Sequence, residues 1–338
     1  MTVTVKSGKK PLQPRKYAGP AAAAALLTAA LLSIVKLVVR SPVMLIADRF
    51  APGLGWVEVA LLSAYAAWLA HTLGEERKVR AIRPIVWRLF SAVFFTQLLL
   101  GLFVSGIFLM TGKLHLPVPA MIVGGPLYRG SGFFMPVLFA STLLLVGPAW
   151  CSWLCYVGSW DDLAARTKKW PQTLPARRET VRVSILLGIV GTAFALRLSG
   201  ADGTTAAWLG GSFGIAGVGV MLLASRRRGV MVHCTTWCPI GLFADLLGKL
   251  SPFRLRIGQG CDRCMACRKM CRYGALEQRN LERGKPGLTC TLCGDCLAAC
   301  KTRQIGYRFL GLSAATARKL FVALVVSLHA VFLGVARI

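Results

Sequence analysis

Seven stretches of the chain are apolar over lengths close to the ~20 residues a helix needs to cross a bilayer. They are residues 20–39, 54–73, 89–110, 132–150, 183–199, 204–225 and 320–336. Between the sixth and the seventh the pattern changes, and about sixty residues carry cysteines and basic side chains instead of long apolar runs. The pattern predicts an all-α polytopic membrane protein of about seven transmembrane helices, with a small α+β domain inserted before the last. Residues 1–88 form a basic tail and two helices, and 89–250 form two helical hairpins. Residues 251–310 form the insert, and 311–338 the last helix. The first stretch follows Lys9, Lys10, Arg15 and Lys16. It is longer than a signal-peptide core and is expected to remain as an anchor.

Charge adds an orientation. The 338 residues are 55% hydrophobic, yet hold 41 Lys and Arg against 13 Asp and Glu. With the N-terminus inside, segments 1–19, 74–88, 151–182 and 226–319 carry 34 of the 41 basic residues. Such a bias sets topology by the positive-inside rule. It predicts a bacterial-type inner membrane protein with its N-terminus and all twelve cysteines on the cytoplasmic side, and its C-terminus outside. The basic residues lie in loops beside apolar runs, which points to membrane lipid rather than nucleic acid. A reducing compartment argues for metal or redox chemistry at the cysteines rather than disulfides.

Cys261, Cys264, Cys267 and Cys271 have the spacing C-x2-C-x2-C-x3-C, and Cys290, Cys293, Cys296 and Cys300 repeat it. Three closely spaced thiolates cap one cubane and the fourth reaches the other. Cluster I is therefore expected on Cys261, Cys264, Cys267 and Cys300, and cluster II on Cys290, Cys293, Cys296 and Cys271, each a [4Fe–4S] centre. Zinc prefers two separated ligand pairs. Arg272 and Lys301 stand where such runs commonly have proline. Segment 252–308 has a formal charge of +8. This charge is expected to raise the reduction potential above that of an acidic ferredoxin, or to face anionic headgroups.

A second cysteine set forms an internal repeat. Cys151-x3-Cys155 follows the fourth stretch and Cys234-x3-Cys238-Pro239 the sixth. Aligned, they also bring together Gly158 with Gly241, Trp160 with Phe243, Asp162 with Asp245, and Leu163 with Leu246. The duplication implies pseudo-symmetric hairpins with a shared site between them. Cys151, Cys155, Cys234 and Cys238 are candidates for a third metal or Fe–S centre, or for redox-active thiols. Trp150, Trp153, Trp160 and Trp237 beside them read as an interfacial aromatic belt.

These motifs together resemble the NapH, MauN and NosR group of ferredoxin-type membrane proteins, over about residues 89–308. Tyr156 departs from the group's C-x3-C-P pattern. No periplasmic flavin or β-domain accompanies the match, so NapH and MauN are the nearer members. The resemblance implies a quinol dehydrogenase membrane component. Such a protein passes electrons from the quinone pool through Fe–S centres to a ferredoxin-like or cytochrome partner subunit.

A quinol site needs an apolar slot with a few polar groups. Glu58, His71 and Gln97 are the candidates, with His329 a further polar residue inside a span. Glu58 is the first choice for proton release to the outside. Lys36 is expected to snorkel. The alternative function is copper handling or maturation of a metalloenzyme, since soft thiolates suit Cu(I).

Overall fold

The computed structural model describes residues 17–39, 43–109 and 116–336. The basic tail expected before the first span lies outside the described residues. Among those described, seven helices are long and apolar enough to cross a membrane.

In chain order, α1 is Ala18–Val38, α2 Gly55–Gly74 and α3 Glu76–Phe103. Then come α4 Met121–Arg129, α5 Phe134–Val146 and α6 Gly158–Arg166. Next are α7 Arg178–Leu198, α8 Gly203–Val220 and α9 Pro239–Leu247. Strands β1 Phe253–Ile257 and β2 Ile305–Phe309 precede and follow the cysteine runs, and α10 is Ala314–Val335. The spans are α1, α2, α3, α5 with its extension to Trp153, α7, α8 continued to Arg228, and α10.

Every apolar stretch found in the sequence is a helix, but α3 begins at Glu76, well before the expected start at 89. Its first turns carry Arg77, Lys78, Arg80, Arg83 and Arg88. Hydropathy reads them as loop, whereas Glu, Lys, Arg and Ala are good helix formers. Pro84 sits inside this helix. Proline lacks the N–H that would reach the carbonyl one turn back.

Helices α1, α2 and α10 pack together as one bundle. Thr28 of α1 bonds Ser327 of α10 at 3.2 Å. Lys36 pairs with Asp48 at 2.6 Å and lies over the Trp56 ring, so its ammonium is held by side chains rather than by free snorkelling. The hairpins α3–α5 and α7–α8 carry the two C-x3-C copies. Helix α8 approaches the 116–121 segment closely, since a Cβ on Gly214 would meet Val118 at 2.6 Å.

Strands β1 and β2 pair antiparallel with Phe253 opposite Phe309 and Ile257 opposite Ile305. They alternate inward and outward side chains with period two. The inward residues do not make a separate core. Phe253, Leu255, Ile305 and Tyr307 belong to one buried cluster with Phe321, Val322 and Val325 of α10. Tyr307 stacks on Phe321 at 4.6 Å.

Candidate iron–sulfur centres

The two cysteine runs have the same backbone. Arg263, Met265 and Gly274 take positive φ in the first, and Leu292, Gly294 and Arg303 take it at the equivalent places in the second. A short 3-10 turn follows the third cysteine of each, Arg268–Met270 and Leu297–Ala299. The Ala275 N–H donates to Cys271 Sγ at 3.3 Å, and the Gln304 N–H to Cys300 Sγ at 3.3 Å. Alternating right- and left-handed residues turn successive N–H groups to one side, the concavity that holds an anionic group such as a thiolate-ligated cluster. Cys271, Cys290, Cys293 and Cys296 line one common cavity. Cys267 has Cys261, Cys300 and Cys271 as electrostatic neighbours.

Left-handed backbone is costly for residues with a Cβ, about 1–2 kcal/mol. Met265 stands where the second run has Gly294. Met265→Gly is therefore expected to raise stability by up to ~1 kcal/mol, part of the gain being lost to unfolded-chain entropy. Gly294→Ala should lower it, since the new Cβ would sit 3.1 Å from Tyr307 Oη and 3.3 Å from Val79. Thermal unfolding of both variants checks the opposite signs.

The C-x3-C copies are also alike in three dimensions. The second cysteine of each donates its N–H five residues back, Cys155 to the Trp150 carbonyl at 3.0 Å and Cys238 to the His233 carbonyl at 2.8 Å. These are π-type turns, which are frequent at functional sites. Each second cysteine then faces the start of a helix. The N–H groups of Val157 and Gly158 favour the Cys155 thiolate, and those of Ile240 and Gly241 favour that of Cys238. The shared glycine has a steric reason. A Cβ would meet the Cys151 carbonyl at 3.0 Å from Gly158, and the Cys234 carbonyl at 2.6 Å from Gly241. Tyr156, in place of proline, leaves the loop shape intact and stacks on Phe94 at 5.1 Å.

The folding of the hairpins brings the two pairs together. Cys234 has Cys155, Cys238 and Cys151 as electrostatic neighbours. Burial, with Cys238 adding to it, pushes the Cys155 thiol up to about 12. Cys155 and Cys238 are buried and Cys151 and Cys234 half-buried, and a metal centre bound to them would take their protons. All twelve cysteines are free thiols. Among the described residues no three His, Cys, Asp or Glu side chains are gathered closely enough to hold a metal ion as they stand.

Two arginines that the cysteine spacing did not reveal clamp the copies. Arg83 of α3 is fully buried, bonds Asp295 through Nε at 3.1 Å and Nη2 at 3.0 Å, and meets Asp162 at 3.4 Å. Arg182 of α7 pairs with Asp245 at 2.7 Å. Asp162 and Asp245 are the repeat-equivalent residues, so each copy's aspartate is held by an arginine of the helix that opens its hairpin. The arginines lie at different distances from the cysteines, which hides the correspondence from alignment. Arg166 also bonds Asp162 and Asp295. Burial would push the Asp295 carboxyl up, but Arg83 and Arg166 outweigh it and hold it below the usual carboxylate range.

The two cysteine systems meet at Tyr273. It is buried in a cluster with Trp87, Ala165 and Met231, against which Cys234 of one system and Cys271 and Cys293 of the other pack. Its hydroxyl donates to the Cys151 carbonyl at 3.4 Å. Ser152 donates to the Thr291 carbonyl at 2.9 Å, a second stitch across the same boundary. Arg272 is buried and donates to the Gly229 carbonyl at 2.8 Å, so it anchors the segment instead of facing headgroups. Trp150 and Trp153 are 6% and 2% exposed and belong to the core. The belt reading fits only Trp160, whose ring edge is open.

Comparison with known families adds the cofactor. A family model described as a 4Fe-4S binding domain matches residues 128–174 and 207–258. The chain carries a 4Fe–4S binding domain. Each matched stretch holds one C-x3-C pair, Cys151 with Cys155 and Cys234 with Cys238. No curated protein and no solved structure matches. The matched stretches support iron–sulfur binding, and the seven long apolar helices support a membrane protein.

Of the polar residues expected at a quinol site, Glu58, His71 and Gln97 make their contacts outside the matched stretches, and His329 reaches Trp153 within one of them. Glu58 accepts the Ala47 N–H at 2.8 Å, and Gln97 accepts from Arg49 at 3.2 Å. Arg49 also donates to the Val335 carbonyl at 2.7 Å, so this group ties α2, α3 and α10 together. His71 is exposed, edge-on to Tyr17 at 6.3 Å. His329 bridges Tyr65 Oη at 3.1 Å and the Trp153 carbonyl at 3.0 Å.

Proposed function

We propose that this protein takes electrons from the membrane quinol pool and delivers them to a ferredoxin-like or cytochrome partner subunit. It would do so as the membrane component of a quinol dehydrogenase of the NapH and MauN type. In this reading Cys261, Cys264, Cys267 and Cys300 hold one [4Fe–4S] cluster, and Cys290, Cys293, Cys296 and Cys271 the other. Cys151, Cys155, Cys234 and Cys238 hold a third centre between the hairpins. Bound clusters supply one-electron steps, which quinol oxidation needs because quinol gives up two electrons.

The observation that carries the reading is the place of Tyr273, in a buried cluster against which cysteines of both systems pack, with its hydroxyl on the Cys151 carbonyl. The protein's own contribution is to hold the sites rigidly and dry. The Arg83, Asp162, Asp295 and Arg166 network fixes the second cysteine run to the first hairpin. Buried Tyr273, Trp87 and Met231 exclude water between the sites. The positive-inside bias supports an inner-face position for the clusters.

The test is anaerobic purification in detergent, iron counting and electron paramagnetic resonance (EPR), followed by duroquinol. About twelve irons per chain, with cluster signals that appear on reduction by duroquinol, are expected. Zinc in place of iron, or clusters that quinol leaves oxidised, would overturn the assignment.

A further inference from the structure

The two C-x3-C loops differ at the residue before the leading cysteine, Trp150 in one and His233 in the other. Trp150 packs edge-on against Phe139 at 4.8 Å. His233 is only 5% exposed, and neither ring nitrogen completes a hydrogen bond among the described residues. The Gly217 backbone is the polar group that faces the ring, in a contact too poorly aligned to satisfy both ring nitrogens. Buried polar groups are normally paired, so an imidazole left this way calls for a partner from outside the chain.

A cavity of about 270 Å³ opens beside this ring. Phe95 and Trp160 wall it from the first hairpin, Gly214 and Val218 from the second, and Cys238 lies on its surface. It therefore sits between the two copies, where duplicated membrane folds place their ligands. A second cavity of about 340 Å³ is lined by α4, α7 and α8 and is almost wholly apolar. The two share Ala120 and Phe213. Phe213 stacks on Trp237 at 5.2 Å, and the indole N–H of Trp237 is also unpaired.

The geometry points to a binding site for a lipid-soluble quinone at this boundary, with its ring beside His233 and its tail in the groove between α7 and α8. A neutral imidazole carries one N–H and one acceptor nitrogen, so it can meet a quinone carbonyl or a quinol hydroxyl. Adjacent cavities, one with a single polar wall and one apolar, match a ring that carries oxygen and an isoprenoid chain. The ligand class rests on the proposed quinol reading; the site rests on His233 and the cavities. It also differs in place from Glu58, His71 and Gln97.

The experiment uses full-length protein purified anaerobically in detergent. Equilibrium dialysis measures its binding of a decyl-substituted benzoquinone, and iron content is measured on each sample. His233→Ala is expected to weaken binding about tenfold, the scale of one lost hydrogen bond. His233→Asn, which keeps a donor and an acceptor, should stay within about threefold of wild type. Val218→Phe, which adds a ring to the cavity wall, should also weaken binding, with iron unchanged in all three. Binding by His233→Ala and Val218→Phe equal to wild type would overturn the site and leave the quinol reading standing. Loss of iron in both His233→Ala and His233→Asn would overturn it by making the imidazole a ligand. Wild-type protein that neither binds the quinone nor is reduced by duroquinol would remove both.

Discussion

Cys155→Ser and Cys238→Ser are each expected to lose one centre, about four irons per chain, and to retain the two in the 261–300 segment. The loss should be nearly equal for the two variants. Each is the second cysteine of its copy, each closes a π-type turn, and each faces the first N–H groups of a helix. Serine keeps the size of the side chain but is a poor ligand for iron. Iron per chain and EPR of the reduced protein read the result directly. A pair of redox-active thiols would behave otherwise. Iron would then stay at its wild-type value while the number of titratable thiols changed between oxidised and reduced samples. The sequence spacing is compatible with both outcomes, and the match of each C-x3-C stretch to a 4Fe-4S binding domain favours the first.

Removing the arginine clamps should be the most destabilising change available outside the cysteines. Arg83→Met leaves Asp295 and Asp162 sharing Arg166 in a buried setting. Breaking a buried pair by deleting one partner costs about 3–5 kcal/mol. Arg182→Met leaves Asp245 without its ion-pair partner and should fall near ~3 kcal/mol. Arg182→Met combined with Asp245→Leu should recover most of that loss, because no buried charge is then left alone. Unfolding in mixed micelles titrated with SDS measures the three differences. A single Arg182→Met variant as stable as wild type would show that the clamp is a wet surface pair.

Much of this architecture was legible in the residues. Seven apolar stretches became seven helices because hydropathy over a bilayer's thickness is a strong constraint. The repeat of the cysteine runs was plain from their spacing, and the same positive-φ positions recur in both. The missing pieces were those whose partners lie far away in the chain. Arg83 sits in a stretch that reads as a basic loop, yet it starts a span and faces two carboxylates. Trp150 and Trp153 have the composition of an interfacial belt, and only packing puts them inside. His233 had a signal that went unused, since it is a position where two otherwise similar copies differ. Tyr273 had none, because nothing local to Cys271 announces a neighbour from the 231–238 loop.

The sheet that closes the cysteine segment shares its buried side with the last helix, through Phe253, Tyr307 and Phe321. Redox cofactors housed in this way cannot swing on a tether between a donor and an acceptor. On the proposed reading, a partner would have to come to a fixed wall of the protein. Heat that loosens the final span should also loosen the cluster cradle, as one melting event with no intermediate in which a detached lobe keeps its iron.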